Sequence, residues 1–357
     1  MDKLNIKSNV RDYKVIFSDN FAGELQYTAE NNTCFFVIDE TILQLYRSQL
    51  EPILPIENVF LMKATEKNKT IDKSQEIIRF LLERGYKRNH KIIAIGGGIT
   101  QDVTCFVASV LFRGVNWELY PTTLLAQCDS CIGSKSSINV GEFKNQVGTF
   151  YPPERIVLDT SFLETLAHED ILSGLGEAIK VHYLDPDKTF NEIFESYSSS
   201  PKASELADII KKSLLIKQRI IEVDEYDRNY RNILNYGHTF GHALESATDY
   251  KIPHGVAVTI GMGIANFVSL KLDLLPSDVY KKMQTLIDKN SKEHLGYLNN
   301  VSIEAYWSAL KKDKKNIDGN IGVILTRGFG ETFKKQVALD EEFKKIILEY
   351  LENVKIV

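Results

Sequence analysis

Three of the chain's seven histidines, His238, His242 and His254, fall within a single 17-residue stretch. A spacing of four puts His238 and His242 on one face of a helix. Glu177, in "LSGLGEAIK", lies on a separate helical pattern, with Lys180 one turn on. Neutral imidazoles joined by a carboxylate suit zinc with one coordination position left open. A solitary histidine is more often structural than ligating. The clustering weakens that reading here, although two of the three could still be ordinary helix-face residues. Arg231 and Asn235 precede the histidines at spacings that place them on the same helical side. Arg, Asn, His and His make too polar a row for a core stripe, and they suit an anionic, hydroxylated ligand.

A second set of residues is suited to phosphates. Gly96, Gly97 and Gly98 follow the apolar run "KIIAI" and open a helical pattern. Such a turn admits a phosphate close to the backbone, and the helix start supplies N–H donors. The spacing is not that of the GxGxxG fingerprint, so a plain tight turn is a fair alternative. Thr122 and Thr123 follow the next strand-like run. The segment 129–148, "DSCIGSKSSINVGEFKNQVG", sets Lys135, Lys144 and Asn145 among small residues. Short side chains, free backbone donors and two ammonium groups make an anion-binding loop, though a solvated surface loop fits equally well. Arg113 lies upstream. The run "KKDKKNIDG" (311–319) reads as a solvated charge cluster.

These residues need elements to position them. In the first ~120 residues short apolar runs alternate with amphipathic helices, the pattern of a parallel α/β sheet. Strands are expected at 33–40, 90–98 and 116–123, and helices at 71–86 and 102–112. The first of these helices should turn Ile77, Ile78, Leu81 and Leu82 inward. Beyond about residue 160 long helical patterns dominate, and "IGVILT" (321–326) is an exception. The expected architecture is therefore a nucleotide-binding, Rossmann-like α/β domain (1–160) and an all-α domain (161–357). A length of 357 residues accommodates two such cores. A net charge of -5, with acids and bases mixed, gives no basic stripe for nucleic acid. No apolar run approaches the ~20 residues that span a bilayer. The N-terminal residues form no apolar signal core, and Cys34, Cys105, Cys128 and Cys131 read as reduced, so a cytoplasmic protein is expected.

Taken in order, "GGGITQD", "FRGV", "YPTTLLAQCDSCIGSK", "KNQVGTFYPP", "GLGEAIK" and "NYGHTFGHALE…PHG" resemble the signature segments of 3-dehydroquinate synthase and other sugar phosphate cyclases. The resemblance spans roughly residues 64–326. It implies a cytoplasmic homodimer that uses NAD and zinc (or cobalt) on a small sugar phosphate. By position, it makes Glu177, His238 and His254 the metal ligands and His242 a catalytic neighbour. It assigns Asp39, Glu66, Lys69, Gly96, Gly97, Gly98, Ile99, Thr100, Gln101, Asp102, Thr122, Thr123, Phe162, Leu163, Glu164 and Thr165 to the cofactor, with Lys135 and Lys144 shared. Asp129, Lys135, Lys144, Asn145 and Lys180 take catalytic positions. Lys217, Arg231, Asn235 and one of Lys314 and Lys315 take substrate positions, and Arg113 reaches the phosphate across a dimer.

The implied chemistry is transient oxidation of a hydroxyl at the expense of NAD, loss of phosphate, return of the hydride and aldol ring closure. Arg231, Asn235 and Lys217 favour a carboxylated heptulosonate, since a guanidinium buried without an anion is costly. The chain departs from the pattern at Gln101, Ser134, Phe143, Asp227 and Val256. Those departures leave open a cyclase of another amino- or neutral sugar phosphate and a non-catalytic paralogue. A metal-dependent polyol dehydrogenase is a further alternative.

Overall fold

The computed structural model describes residues 3–141, 143–187, 189–198, 201–311 and 319–354. The chain divides into two compact units, Met1–Leu166 with Lys217–Tyr226, and Ala167–Ile216 with Asp227–Val357. One stretch from the second half of the sequence thus belongs by its contacts with the first.

The first unit is built on a seven-stranded sheet in the order β1-β2-β9-β6-β5-β3-β4. Its strands are β1 (Lys3–Ile6), β2 (Tyr13–Ser18), β3 (Cys34–Asp39), β4 (Val59–Met62), β5 (Lys91–Gly96), β6 (Asn116–Pro121) and β9 (Arg155–Asp159). Every pairing is parallel except β1 with β2. Strands covered on both faces read as unbroken apolar runs, and β3 and β5 do. A short hairpin, β7 (Ile138–Val140) with β8 (Phe143–Val147), carries Lys144 and Asn145.

The helix expected at 71–86 occupies Ile71–Glu83, capped by the Thr70 hydroxyl. It buries Ser74, Ile77 and Leu81, while Leu82 is exposed. A 74/77/81 stripe advances by three and four, which keeps one face on the sheet, whereas Leu82 lies a further 100° round. The glycine turn runs straight into the helix Gly98–Val110.

The second unit is mostly helical, with His254–Lys271 as its central element, buried from Gly255 to Ser269. It is not all-α, because β10 (Asn320–Thr326) and β11 (Thr332–Ala338) form an antiparallel hairpin. Helix His168–Tyr183 meets the central helix through two glycines. A Cβ on Gly255 would stand 1.8 Å from the Ser173 carbonyl oxygen, and one on Gly176 would stand 2.1 Å from the Gly255 oxygen. Only residues without side chains permit this approach, and it brings the neighbouring Glu177 and His254 together. Among the described residues no helix is long and apolar enough to cross a membrane.

Candidate metal centre and nucleotide-binding turn

In the second unit, Glu177 projects from the middle of helix His168–Tyr183, His238 and His242 from helix His238–Ala247, and His254 from the first position of the central helix. Glu177 Oε1 lies 3.3 Å from His254 Nε2 and 3.6 Å from His238 Nε2. Tetrahedral zinc with bonds of ~2.1 Å sets its ligand atoms roughly 3.4 Å apart. Both distances from Glu177 therefore match an edge of such a site. The ring nitrogens of His238, His242 and His254 all lie within 4.8 Å of one another, and His242 is the exposed member of the three.

The other atoms of these side chains hold them in place. His254 Nδ1 faces both oxygens of Glu245 at 3.3 Å, and His238 Nδ1 faces the Tyr236 carbonyl at 3.2 Å. Each ring thus turns Nε2 toward Glu177, the arrangement by which a second ring of partners orients metal-binding imidazoles. Lys180 Nζ takes Glu177 Oε2 at 2.5 Å, so the two carboxylate oxygens are divided between the lysine and the imidazoles.

Burial, then Lys180 and the other two imidazoles, hold His238 well below the usual histidine range, in the neutral form that ligates. Burial opposes a charge on His254 too, but the Glu245 and Glu177 carboxylates outweigh it and push that ring up to about 10. The two carboxylates thus call for positive charge at this point, which a divalent cation would supply in place of the proton. The donor set fits a zinc-type ion. Glu245 was not singled out in the sequence, although its spacing of seven from His238 and three from His242 puts it on their face.

Arg231 and Asn235 do not continue the histidine helix. They lie in a 3-10 turn, Tyr230–Asn235, and the chain breaks at Gly237, whose φ is 78°. Helical phase does not carry through a left-handed residue, so the expected i, i+4, i+7 row is interrupted. Arg231 is nonetheless buried. Lys314 and Lys315 lie outside the described residues.

In the first unit, the glycine turn meets the carboxyl ends of β3, β5 and β6, where open α/β sheets bind ligands. Asp39 ends β3, and its carboxylate caps Thr41 N. Burial raises its pKa from the ordinary value. Helix Gly98–Val110 starts without a side-chain cap. The Thr100 and Thr122 hydroxyls beside it are buried with no hydrogen-bond partner. Uncapped backbone donors and two orphaned hydroxyls at one turn fit a nucleotide diphosphate.

A polar network ties further expected residues together. Lys69 Nζ reaches Asp102 at 2.6 Å and Asn145 Oδ1 at 2.9 Å, and Lys144 lies 3.8 Å from Glu66. Asn139, which no motif flagged, bridges them. It donates to Glu66 Oε1 at 2.8 Å and accepts from Asn145 N at 2.8 Å, supporting the left-handed backbone of Asn145.

Gln101 trades hydrogen bonds with Ser130, at 2.7 Å to its carbonyl and 3.0 Å from its hydroxyl. Next to Ser130, Asp129 pairs with Lys217 at 2.5 Å. Phe162, in the segment Thr160–Thr165, points into the core beside Phe21 and Tyr46, and Thr165 bonds the Tyr46 hydroxyl. Arg113 is exposed on a left-handed turn. All four cysteines are buried, and none is in a disulfide.

Residues 59–173 match the family described as 3-dehydroquinate synthase N-terminal, and 174–316 match 3-dehydroquinate synthase C-terminal. A 3-dehydroquinate synthase of Clostridium tetani (strain Massachusetts / E88) is 36% identical over 358 residues, covering 98% of this chain and 95% of the relative. Among solved structures, a 2-deoxy-scyllo-inosose synthase complexed with carbaglucose-6-phosphate, NAD+ and Co2+ superposes with a TM-score of 0.84 at 24% identity, covering 97% and 99% of the two chains. A 2-epi-5-epi-valiolone synthase from Streptomyces hygroscopicus subsp. jinggangensis 5008, with NAD+ and Zn2+ bound, gives 0.83 at 23% identity, covering 98% and 99%.

Proposed function

This chain belongs to the 3-dehydroquinate synthase family, and from that premise we propose that it converts 3-deoxy-arabino-heptulosonate 7-phosphate to 3-dehydroquinate and phosphate. The carrying observation is the donor spacing of 3.3 and 3.6 Å about Glu177 Oε1, with both imidazoles oriented from behind. Glu177, His238 and His254 are assigned to the metal, and His242 to a catalytic position beside it. Asp39, Glu66, Lys69, the turn Gly96 to Asp102, Thr122, Thr123 and residues 162–165 are assigned to NAD. The orphaned Thr100 and Thr122 hydroxyls support that assignment. Residues 1–160 would form the cofactor domain and 161–357 the metal and substrate domain.

When bound, NAD and the metal supply reversible hydride acceptance and Lewis acidity. The chain's own groups do the rest. Lys135, Lys144 and Asn145 hold the substrate phosphate. As its C–O bond breaks, a phosphate oxygen takes the proton from the adjacent carbon, and positioning makes that transfer efficient. Lys180 holds Glu177 in place, and Asp129 and Lys217 act as a buried pair. Arg231, Asn235, Lys217 and one of Lys314 and Lys315 receive the carboxylate and hydroxyls. In a cytoplasmic homodimer, Arg113 would reach the partner's phosphate site, which its exposed position allows.

The test is phosphate release from the heptulosonate phosphate and from a neutral heptulose phosphate, each with NAD and zinc. The proposal expects release from the first alone. Release from the neutral sugar and none from the acid would overturn the substrate assignment.

A further inference from the structure

Ser134 has a left-handed backbone, with φ at 67°. A Cβ there crowds the following carbonyl, so glycine is the usual occupant of such a turn. The serine side chain makes a compensating contact. Its hydroxyl donates to Glu225 Oε1 at 3.0 Å. Both residues are buried, at 7% and 6% exposure. The same carboxylate accepts from Ser8 Oγ at 2.6 Å, from Asn9 N at 2.6 Å and from Asn9 Nδ2 at 3.0 Å.

Lys135 follows directly. Its ammonium stands 5.9 Å over the Phe150 ring, and Phe150 meets Tyr226 edge-on at 5.2 Å. Tyr151 N donates to the Ser134 carbonyl at 2.7 Å. The lysine loop is therefore held by two consecutive residues of the 217–226 segment. Glu225 acts through Ser134, and Tyr226 acts through Phe150.

We propose that Ser134 and Glu225 form a latch that sets the Lys135 loop in its phosphate-binding conformation. Both are positioning residues, and the phosphate role rests on the function proposed above. A hydroxyl bonded to a carboxylate offsets the strained backbone that glycine would otherwise relieve. Without it, the Phe150–Tyr226 contact is the tie that remains of the two, and Lys135 is held less firmly in one orientation.

The test compares Ser134→Ala, which keeps the Cβ and loses the hydroxyl, with Ser134→Gly, which also relieves the strain, and with Glu225→Ala, which removes the acceptor. Steady-state kinetics, the NAD dissociation constant and amide exchange of residues 133–137 are measured on the full-length holoenzyme. Ser134→Ala should raise KM for the sugar phosphate about tenfold, as loss of one hydrogen bond to a charged group implies. Its kcat and NAD affinity should stay within about twofold, and its loop amides should exchange faster. Ser134→Gly should show a smaller rise in KM. Ser134→Ala combined with Glu225→Ala should be no worse than Glu225→Ala alone, since either substitution removes the same bond.

A KM within about twofold of wild type together with unchanged exchange, or additive effects of the two substitutions, would overturn the latch. Should the wild type turn over no sugar phosphate, the proposed function fails by itself. The exchange measurement then decides the latch alone, with faster exchange supporting it and unchanged exchange refuting it.

Discussion

Replacing Gly255 by alanine should damage the metal centre without touching a ligand. The new Cβ would stand 1.8 Å from the Ser173 carbonyl oxygen, where real contacts do not fall below 3.0 Å. Helices His168–Tyr183 and His254–Lys271 must therefore separate locally by at least 1.2 Å (3.0 less 1.8). His254 and Glu177 sit on opposite sides of that contact, with donor atoms 3.3 Å apart. A separation of that size carries them well beyond the roughly 3.4 Å edge of a tetrahedral site.

Misplacement by about 1 Å costs on the order of 10²-fold in rate, and the overpacking itself costs about 1–3 kcal/mol of stability. Gly85→Ala is the control. Its backbone φ of 74° makes alanine strained, but nothing lies within 4 Å of the new Cβ. Zinc affinity measured by chelator competition, with the thermal midpoint recorded in parallel, separates the two effects. Gly255→Ala should lose affinity and stability, and Gly85→Ala only stability. If Gly255→Ala bound zinc within about twofold of wild type, the argument that glycine contact sets the ligand spacing would be wrong.

Three further outcomes follow from single residues. His182 is buried, and burial lowers its pKa to about 4. The unfolded chain therefore takes up a proton that the folded one refuses as pH falls from about 6.5 to 4, and stability drops by about 3 kcal/mol across that window. His182→Gln should flatten this acid limb in thermal melts, and an unchanged slope would contradict the assignment. Glu245→Ala removes the partner of His254 Nδ1 and should weaken zinc binding about 10–100-fold by the same chelator competition. Asp39, at the end of β3, should repel a ribose 2′-phosphate, so Asp39→Ala should narrow the preference for NAD over NADP in equilibrium binding.

The sequence made the strands and the glycine turn legible because each is local. "TCFFVIDE" and "HKIIAIGGG" are apolar without alternation, as strands covered on both faces must be, and β3 and β5 occupy them. Two expectations differ from the structure for different physical reasons, one of helical phase and one of backbone conformation. Leu82 matched an apolar template but falls one residue past the inward stripe. Arg231 and Asn235 matched a helical template that Gly237 interrupts. The support residues were hidden for another reason. Glu245, Asn139 and Glu225 act through partners 9, 6 and 91 positions away, and composition carries no trace of such pairings. Ser134 read as a departure from the family pattern, and its meaning emerged only with the hydroxyl on Glu225.

The central claim is that hydride leaves the substrate and returns to it, so NAD acts as a recycled catalyst. A stopped-flow record at the NADH absorbance, with phosphate release followed on the same sample of enzyme, zinc, NAD and 3-deoxy-arabino-heptulosonate 7-phosphate, tests it directly. Stoichiometric phosphate is expected, with at most one transient NADH per active site and none accumulating over many turnovers. NADH growing in step with turnover, or phosphate release with NAD omitted from enzyme stripped of cofactor, would contradict it.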